Sequence, residues 1–301
     1  MFYATAKLKY ASEEINRKNL LETPSSIKFA DLAFDIVNNS PKQNLPLLYK
    51  LLFQFNKNPS MPLFQEIKQL LFSHSEDFDL EEQLITLGYL LNYTASKIKH
   101  GETRYLKEAF DLNQYGISTG MLIQDGFIPP SQFHNIVNLA CWLKKFNWAQ
   151  TFVETHSEHL REPFRKDAKL LAQTIITFEK QDFLNVVETL KEVEFSDGHF
   201  ALRAKSLILR SYIEQAKDAD QVLLFCESFE RFIRRHSVIK GETETAALNF
   251  IKFIKMLTRK KTSEPKLKSE IAEAHPVFFK PWLIQKAAAY KQKFAAHTLR
   301  R

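Results

Sequence analysis

In the stretch Glu154-Thr155-His156-Ser157-Glu158-His159, two histidines three positions apart share one helical face, with Glu158 beside them and Glu154 nearby. Two imidazoles and a carboxylate can ligate zinc. A metal-dependent enzyme would therefore be built from His156 and His159. The pattern stops short of a recognised site: no third-ligand motif accompanies the pair, and His-Glu-x-x-His is absent. A polar helix end accounts for the same residues. No Gly-x4-Gly-Lys-[Ser/Thr] or Gly-x-Gly-x-x-Gly occurs either, and 7 glycines in 301 residues leave little material for a phosphate-cradling loop. The expectation is a chain with no catalytic residue, no bound metal and no cofactor.

Two further constellations carry chemistry. Trp142 and Trp148 stand six positions apart with Lys144 and Lys145 between them, an arrangement that suits base stacking in single-strand binders. It equally suits the seam of a helical hairpin with the lysines at its exposed turn, and that reading is preferred. The other constellation is basic. Residues 1–150 hold 15 basic and 15 acidic side chains, whereas residues 231–301 hold 17 basic and 5 acidic. Arg231, Arg234 and Arg235 close one helix, and Lys252, Lys255 and Arg259 form a cationic stripe on its partner. These six residues define an alternative function, contact with a polyanion such as nucleic acid.

The elements that must position these groups are helical. Scarce glycine leaves few positions for tight hairpin turns, while apolar residues recur at helical spacing at Leu84, Leu87, Leu91 and Ile98; at Leu171, Ile175 and Phe178; and at Val222, Phe225, Cys226, Phe229, Phe232 and Ile233. Strand content is expected near zero, with 13 to 15 helices. Thr23 before Pro24, and Asp79 with Glu82, carry helix-start chemistry. Cys141 and Cys226 lie in apolar helical patterns and read as buried free thiols. No run of about 18 apolar residues is present, and a cytoplasmic location is expected.

Between residues 131 and 258 three helix-turn-helix units follow one another. The first is expected to run from Ser131 to Lys145, turn at Lys-Phe-Asn, and resume with Trp148, Phe152 and Val153. Phe183 and Val222 open the corresponding second helices, 35 and 39 positions on. These units, with small residues at Ala140 and Ala172, resemble tetratricopeptide-like repeats, and more narrowly the uncharacterised bacterial proteins of that type. The resemblance covers under half of the chain and implies an all-α fold of antiparallel hairpins stacked as an α-solenoid, with a scaffolding role and no defined peptide-clamp motif.

The expected organisation is an irregular helical region at 1–125, the hairpins at 126–260, and a basic linker with a final helix at 261–301. The linker reading rests on Lys-Lys-Thr-Ser-Glu-Pro-Lys-Leu-Lys-Ser-Glu, which is poor in apolar residues. The expected function is non-catalytic binding of a protein or peptide by polar residues on the first helix of each hairpin: Asn135, Asn138, Lys169, Gln173, Arg203 and Arg210.

Overall fold

The computed structural model describes residues 1–21, 28–40, 43–260 and 262–298. Thr23 and Pro24 lie outside them. Fifteen α-helices and no strand occur among the described residues, and the chain divides into two compact units, Met1–Gln124 and Asp125–Arg301.

The first unit contains α1 (Phe2–Leu21), α2 (Ala30–Asn38), α3 (Asn44–Lys57), α4 (Met61–Ser73), α5 (Leu80–Lys99) and α6 (Tyr105–Ser118). Helix α3 packs against α1, α2 and α4. It accordingly buries a broad face that includes Leu48, Tyr49, Leu51, Leu52, Phe53 and Phe55, and leaves Lys50, Gln54 and Lys57 on the other side. Helix α5 starts with the expected reciprocal cap: the Asp79 side chain accepts from the Glu82 N–H at 2.8 Å, and Glu82 accepts from the Asp79 N–H at 3.2 Å. Its inward stripe differs from the expected one. Thr86, Leu87, Leu90 and Thr94 are buried, and Leu84, Leu91 and Ile98 only partly so. The threonines tolerate burial because each hydroxyl bonds a carbonyl of its own helix, Glu82 O at 2.7 Å and Leu91 O at 2.9 Å.

The second unit contains α7 (Pro130–Trp142), α8 (Phe146–His156), α9 (Glu162–Glu179), α10 (Phe183–Leu190), α11 (Gly198–Glu214), α12 (Ala219–Arg235), α13 (Glu242–Arg259), α14 (Glu264–Glu273) and α15 (Lys280–Thr298). Helix α7 packs on α8 and α9, α9 on α10 and α11, and α11 on α12, so the first helices of successive hairpins are neighbours. All three end alike. Lys144, Gln181 and Ala216 take φ of 59°, 67° and 50°, 37 and then 35 residues apart. Around each, two N–H groups turn back to the last helical turn: Lys144 to Cys141 O and Lys145 to Ala140 O, Gln181 to Phe178 O and Asp182 to Thr177 O, Ala216 to Ile213 O and Lys217 to Tyr212 O. This left-handed cap satisfies carbonyls that the helix end leaves without partners, and it usually carries glycine. Here it never does.

The caps correct the expected boundaries. Helix α7 stops at Trp142 rather than Lys145, and α8 opens at Phe146, two residues past the left-handed position, just as α10 opens at Phe183. Phe146, not Trp148, is thus the counterpart of Phe183. Trp148 instead stacks on Phe152 inside the hairpin, with centroids 5.4 Å apart and planes at 9°. Trp142 does not fill the seam, because it remains 46% exposed.

Residues expected to form a linker make α14, with Leu267 and Ile271 buried in the same core as Ile251, Ile254, Leu283 and Ala287. Lysines at the exposed positions of a short amphipathic helix dilute its apolar content, which is why the segment reads as a linker by composition.

A left-handed alanine is strained relative to glycine by about 1 kcal/mol. Ala216→Gly should accordingly raise stability by roughly 0.5–1 kcal/mol, read as a higher urea midpoint at unchanged slope. Gly116 predicts the reverse. A Cβ there would stand 2.6 Å from Leu122 Cγ and 2.9 Å from Leu87 Cδ2, so Gly116→Ala should cost about 1–3 kcal/mol by the same measurement.

Candidate functional site

The face proposed from the sequence belongs to α7, α9 and α11. On α7, Asn135 is exposed and Asn138 half-buried. Trp142 lies seven and four residues further on, hence on the same side of the helix. On α9, Gln173 is exposed and Lys169 half-buried four residues before it. These five side chains give the face amides, a cation and an exposed aromatic. Trp142 was the member that sequence reasoning missed. Its distance of seven from Asn135 was a readable signal, obscured by assigning the tryptophan to the seam.

Arg203 and Arg210 are drawn inward. The buried imidazole of His134 sits between α9 and α11: its Nε2 lies 2.8 Å from Ala168 O, and Arg203 Nη1 lies 3.2 Å from its Nδ1. A guanidinium can only donate, so Nδ1 accepts and Nε2 carries the proton. The ring is thereby neutral and held in one tautomer. Burial pushes His134 down to about 4, the Ala168 carbonyl opposes that shift, and the Arg203 charge adds to it. Burial lowers Arg203 as well. Arg203 therefore ties α11 to α7 instead of facing a ligand.

Arg210 lies under aromatic rings, with its guanidinium carbon 4.2 Å from the Phe178 centroid, 4.5 Å from Phe279 and 5.3 Å from Trp282. The last two rings belong to the C-terminal segment. That segment docks on α11 because Glu214 accepts from Trp282 Nε1 at 2.8 Å and from Lys286 Nζ. Asn249 Nδ2 donates to Pro276 O at 2.8 Å and fixes the same segment to α13.

The other candidates are dispersed. His156 and His159 stack with centroids 5.7 Å apart, but Glu158 pairs with Arg165 at 3.0 Å and His159 Nδ1 with Gly126 O at 3.1 Å. Burial, and then the neighbouring His159, lower His156. The three ligand atoms of a zinc set do not converge there. Among the described residues such a trio is met only at His74, Glu76 and Asp77, all exposed, where Asp77 is already bonded to Asn44.

Gly116-Ile117-Ser118-Thr119-Gly120 matches Gly-x-Ser-x-Gly, the spacing of a nucleophile elbow. It ends a helix instead of joining a strand to one, and Ser118 Oγ donates to Tyr115 O at 2.9 Å. The context that would expose a nucleophile is absent at this place.

The basic stripe is also divided. Arg231, Arg234 and Arg235 are exposed at the end of α12, as are Lys252 and Arg259 on α13, but Lys255 is half-buried and bonded to Glu230 at 2.7 Å. Cys141 and Cys226 are buried free thiols, pushed up to about 12 by burial, and so stay protonated. No described helix is long and apolar enough to cross a membrane. Protein-family models, curated proteins and solved structures were compared with the chain, and none matches.

His134 sets a pH dependence. Its folded value lies below the ordinary one, so the unfolded chain takes up the proton first, and stability is complete above about pH 6.5 and lost as pH falls toward 4. The loss should reach roughly 3 kcal/mol at the acid end, with His156 contributing in the same direction. Urea unfolding at a series of pH values should show this slope, and His134→Gln should flatten it.

Proposed function

We propose that residues 125–301 form a non-catalytic helical-repeat scaffold, a tetratricopeptide-like solenoid that binds a protein or peptide along α7, α9 and α11. The observation that carries this reading is Trp142, an exposed aromatic aligned with Asn135 and Asn138 on the first helix of a hairpin. A large rigid ring among amides binds at little entropic cost, and such residues anchor interfaces. The recurrent cap supports the repeat architecture, since it sets one first helix beside the next. Asn135, Asn138, Lys169 and Gln173 supply hydrogen bonds around the anchor. Arg203 serves the scaffold itself.

The test is retention of proteins from nuclease-treated native extract by the full chain, identified by mass spectrometry. Trp142→Ala should reduce retention of the specific partner by about tenfold or more, and Asn135→Ala with Gln173→Ala by less. Unchanged retention in both variants would defeat the reading.

A second reading is favoured by one observation: Arg231, Arg234 and Arg235 crowd the C-terminal end of α12 without an ion pair to any described residue. In this reading the chain binds nucleic acid with those arginines, Lys252 and Arg259, and Lys255 is excluded by Glu230. Binding would then fall with log salt at a slope of about −0.9 per phosphate contact, and each arginine-to-alanine change would reduce the slope by about one. Retention insensitive to both salt and nuclease would exclude it.

A further inference from the structure

Among the buried side-chain atoms without a hydrogen-bond partner, His156 Nδ1, Ser157 Oγ, Ser211 Oγ and Arg210 Nε, the last belongs to a charged group, the guanidinium. Its five N–H donors lie in the guanidinium plane, while the rings of Phe178, Phe279 and Trp282 offer π-faces that attract the charge. π-faces do not take the place of in-plane acceptors. Arg210 makes no hydrogen bond or ion pair with any described residue, and its Nε is buried with no acceptor. Two carboxylates are close enough to act through their fields. Neither bonds the guanidinium: the Glu214 oxygens are taken by Trp282 and Lys286, and Glu179 forms no ion pair with it. Burial lowers Arg210 to about 10, against the pull of Glu179 and Glu214, so the charge persists at neutral pH. A desolvated cation with unmade hydrogen bonds is among the costliest groups a fold can carry. Nε is sealed from solvent, while the arginine as a whole is only part-buried.

We propose that Arg210, framed by Phe178, Phe279 and Trp282, is the anchoring site for a single carboxylate on the bound protein or peptide, received edge-on by the guanidinium fork. This rests on the scaffold reading and specifies what its partner must present. Geometry selects the group, because the fork matches a planar carboxylate with two parallel bonds. Charge limits its valence. Arg210 and Lys286 stand beside Glu179 and Glu214, so these four ionised groups sum to zero and each further negative charge on the ligand adds repulsion from the two carboxylates. A phosphomonoester is thereby disfavoured, and the site needs a partner bearing an isolated acidic side chain or chain end. Phe279 and Trp282 come from the C-terminal segment, so the site exists only while that segment is docked.

The test uses the full chain with ¹⁵N-labelled arginine. The Arg210 Nε–H resonance, assigned by its loss in Arg210→Lys, is followed during titration with sodium acetate, dimethyl phosphate or sodium chloride at constant ionic strength. Acetate should produce a saturating shift in the millimolar range, with affinity at least about tenfold above that for chloride and above that for dimethyl phosphate. Glu179→Gln, which leaves the arginine in place, should tighten acetate by about threefold. A shift that is linear and equal for all three salts would show Arg210 to be only a pin for the C-terminal segment. Preference for dimethyl phosphate would assign the site to a phosphodiester. No tightening in Glu179→Gln would also overturn the proposal. Acetate binding is read on the chain alone. Failure of Trp142→Ala to reduce retention would therefore sink the scaffold reading while leaving the anion site standing, and a null titration would do the opposite.

Discussion

A helix that stops must find partners for its last carbonyls, and between residues 130 and 217 the chain meets that demand three times in one way. At Lys144, Gln181 and Ala216 a residue enters the left-handed region and two amides fold back onto the preceding turn. The reversal is tight enough that the next helix starts two or three residues later, which leaves it nowhere to go but antiparallel. Once hairpins of nearly equal length are fixed, packing of α7 on α9 and of α9 on α11 follows from burying the apolar stripes they share. The row of first helices, and everything displayed on it, descends from that single backbone device.

The same device explains what the sequence disclosed and what it hid. Helical periodicity, the reciprocal cap at Asp79 and Glu82, and restarts near Pro130, Glu162 and Gly198 are local features, and all are written in residue types. A left-handed cap usually announces itself by glycine; lysine, glutamine and alanine announce nothing, so residue types alone carry α7 three residues too far, to Lys145, and set Trp148 rather than Phe146 against Phe183. Leu84 and Leu91 read as the inner face of α5 because Thr86 and Thr94 look polar until their hydroxyls are seen bonded to their own helix.

For the candidate face the limit was of another kind. A charged residue at helical spacing reads as solvent-facing unless something distant claims it. Arg203 is claimed by His134, 69 residues earlier, and Arg210 by rings 69 and 72 residues later. No window of local sequence holds those pairs. Asn135 and Gln173, which nothing distant claims, are the ones found exposed as read.

The closure of the second unit bears on self-association. Helix α15 and the segment before it lie against α13, with Leu283 and Ala287 buried beside Phe250 and Ile254, and Asn249 held to Pro276. Stacked hairpins present a sticky end, on which a neighbouring molecule's hairpin can continue the pile. Here that flank of α13 is already occupied from within the same chain, so a neighbouring molecule would have to displace α15 to reach it.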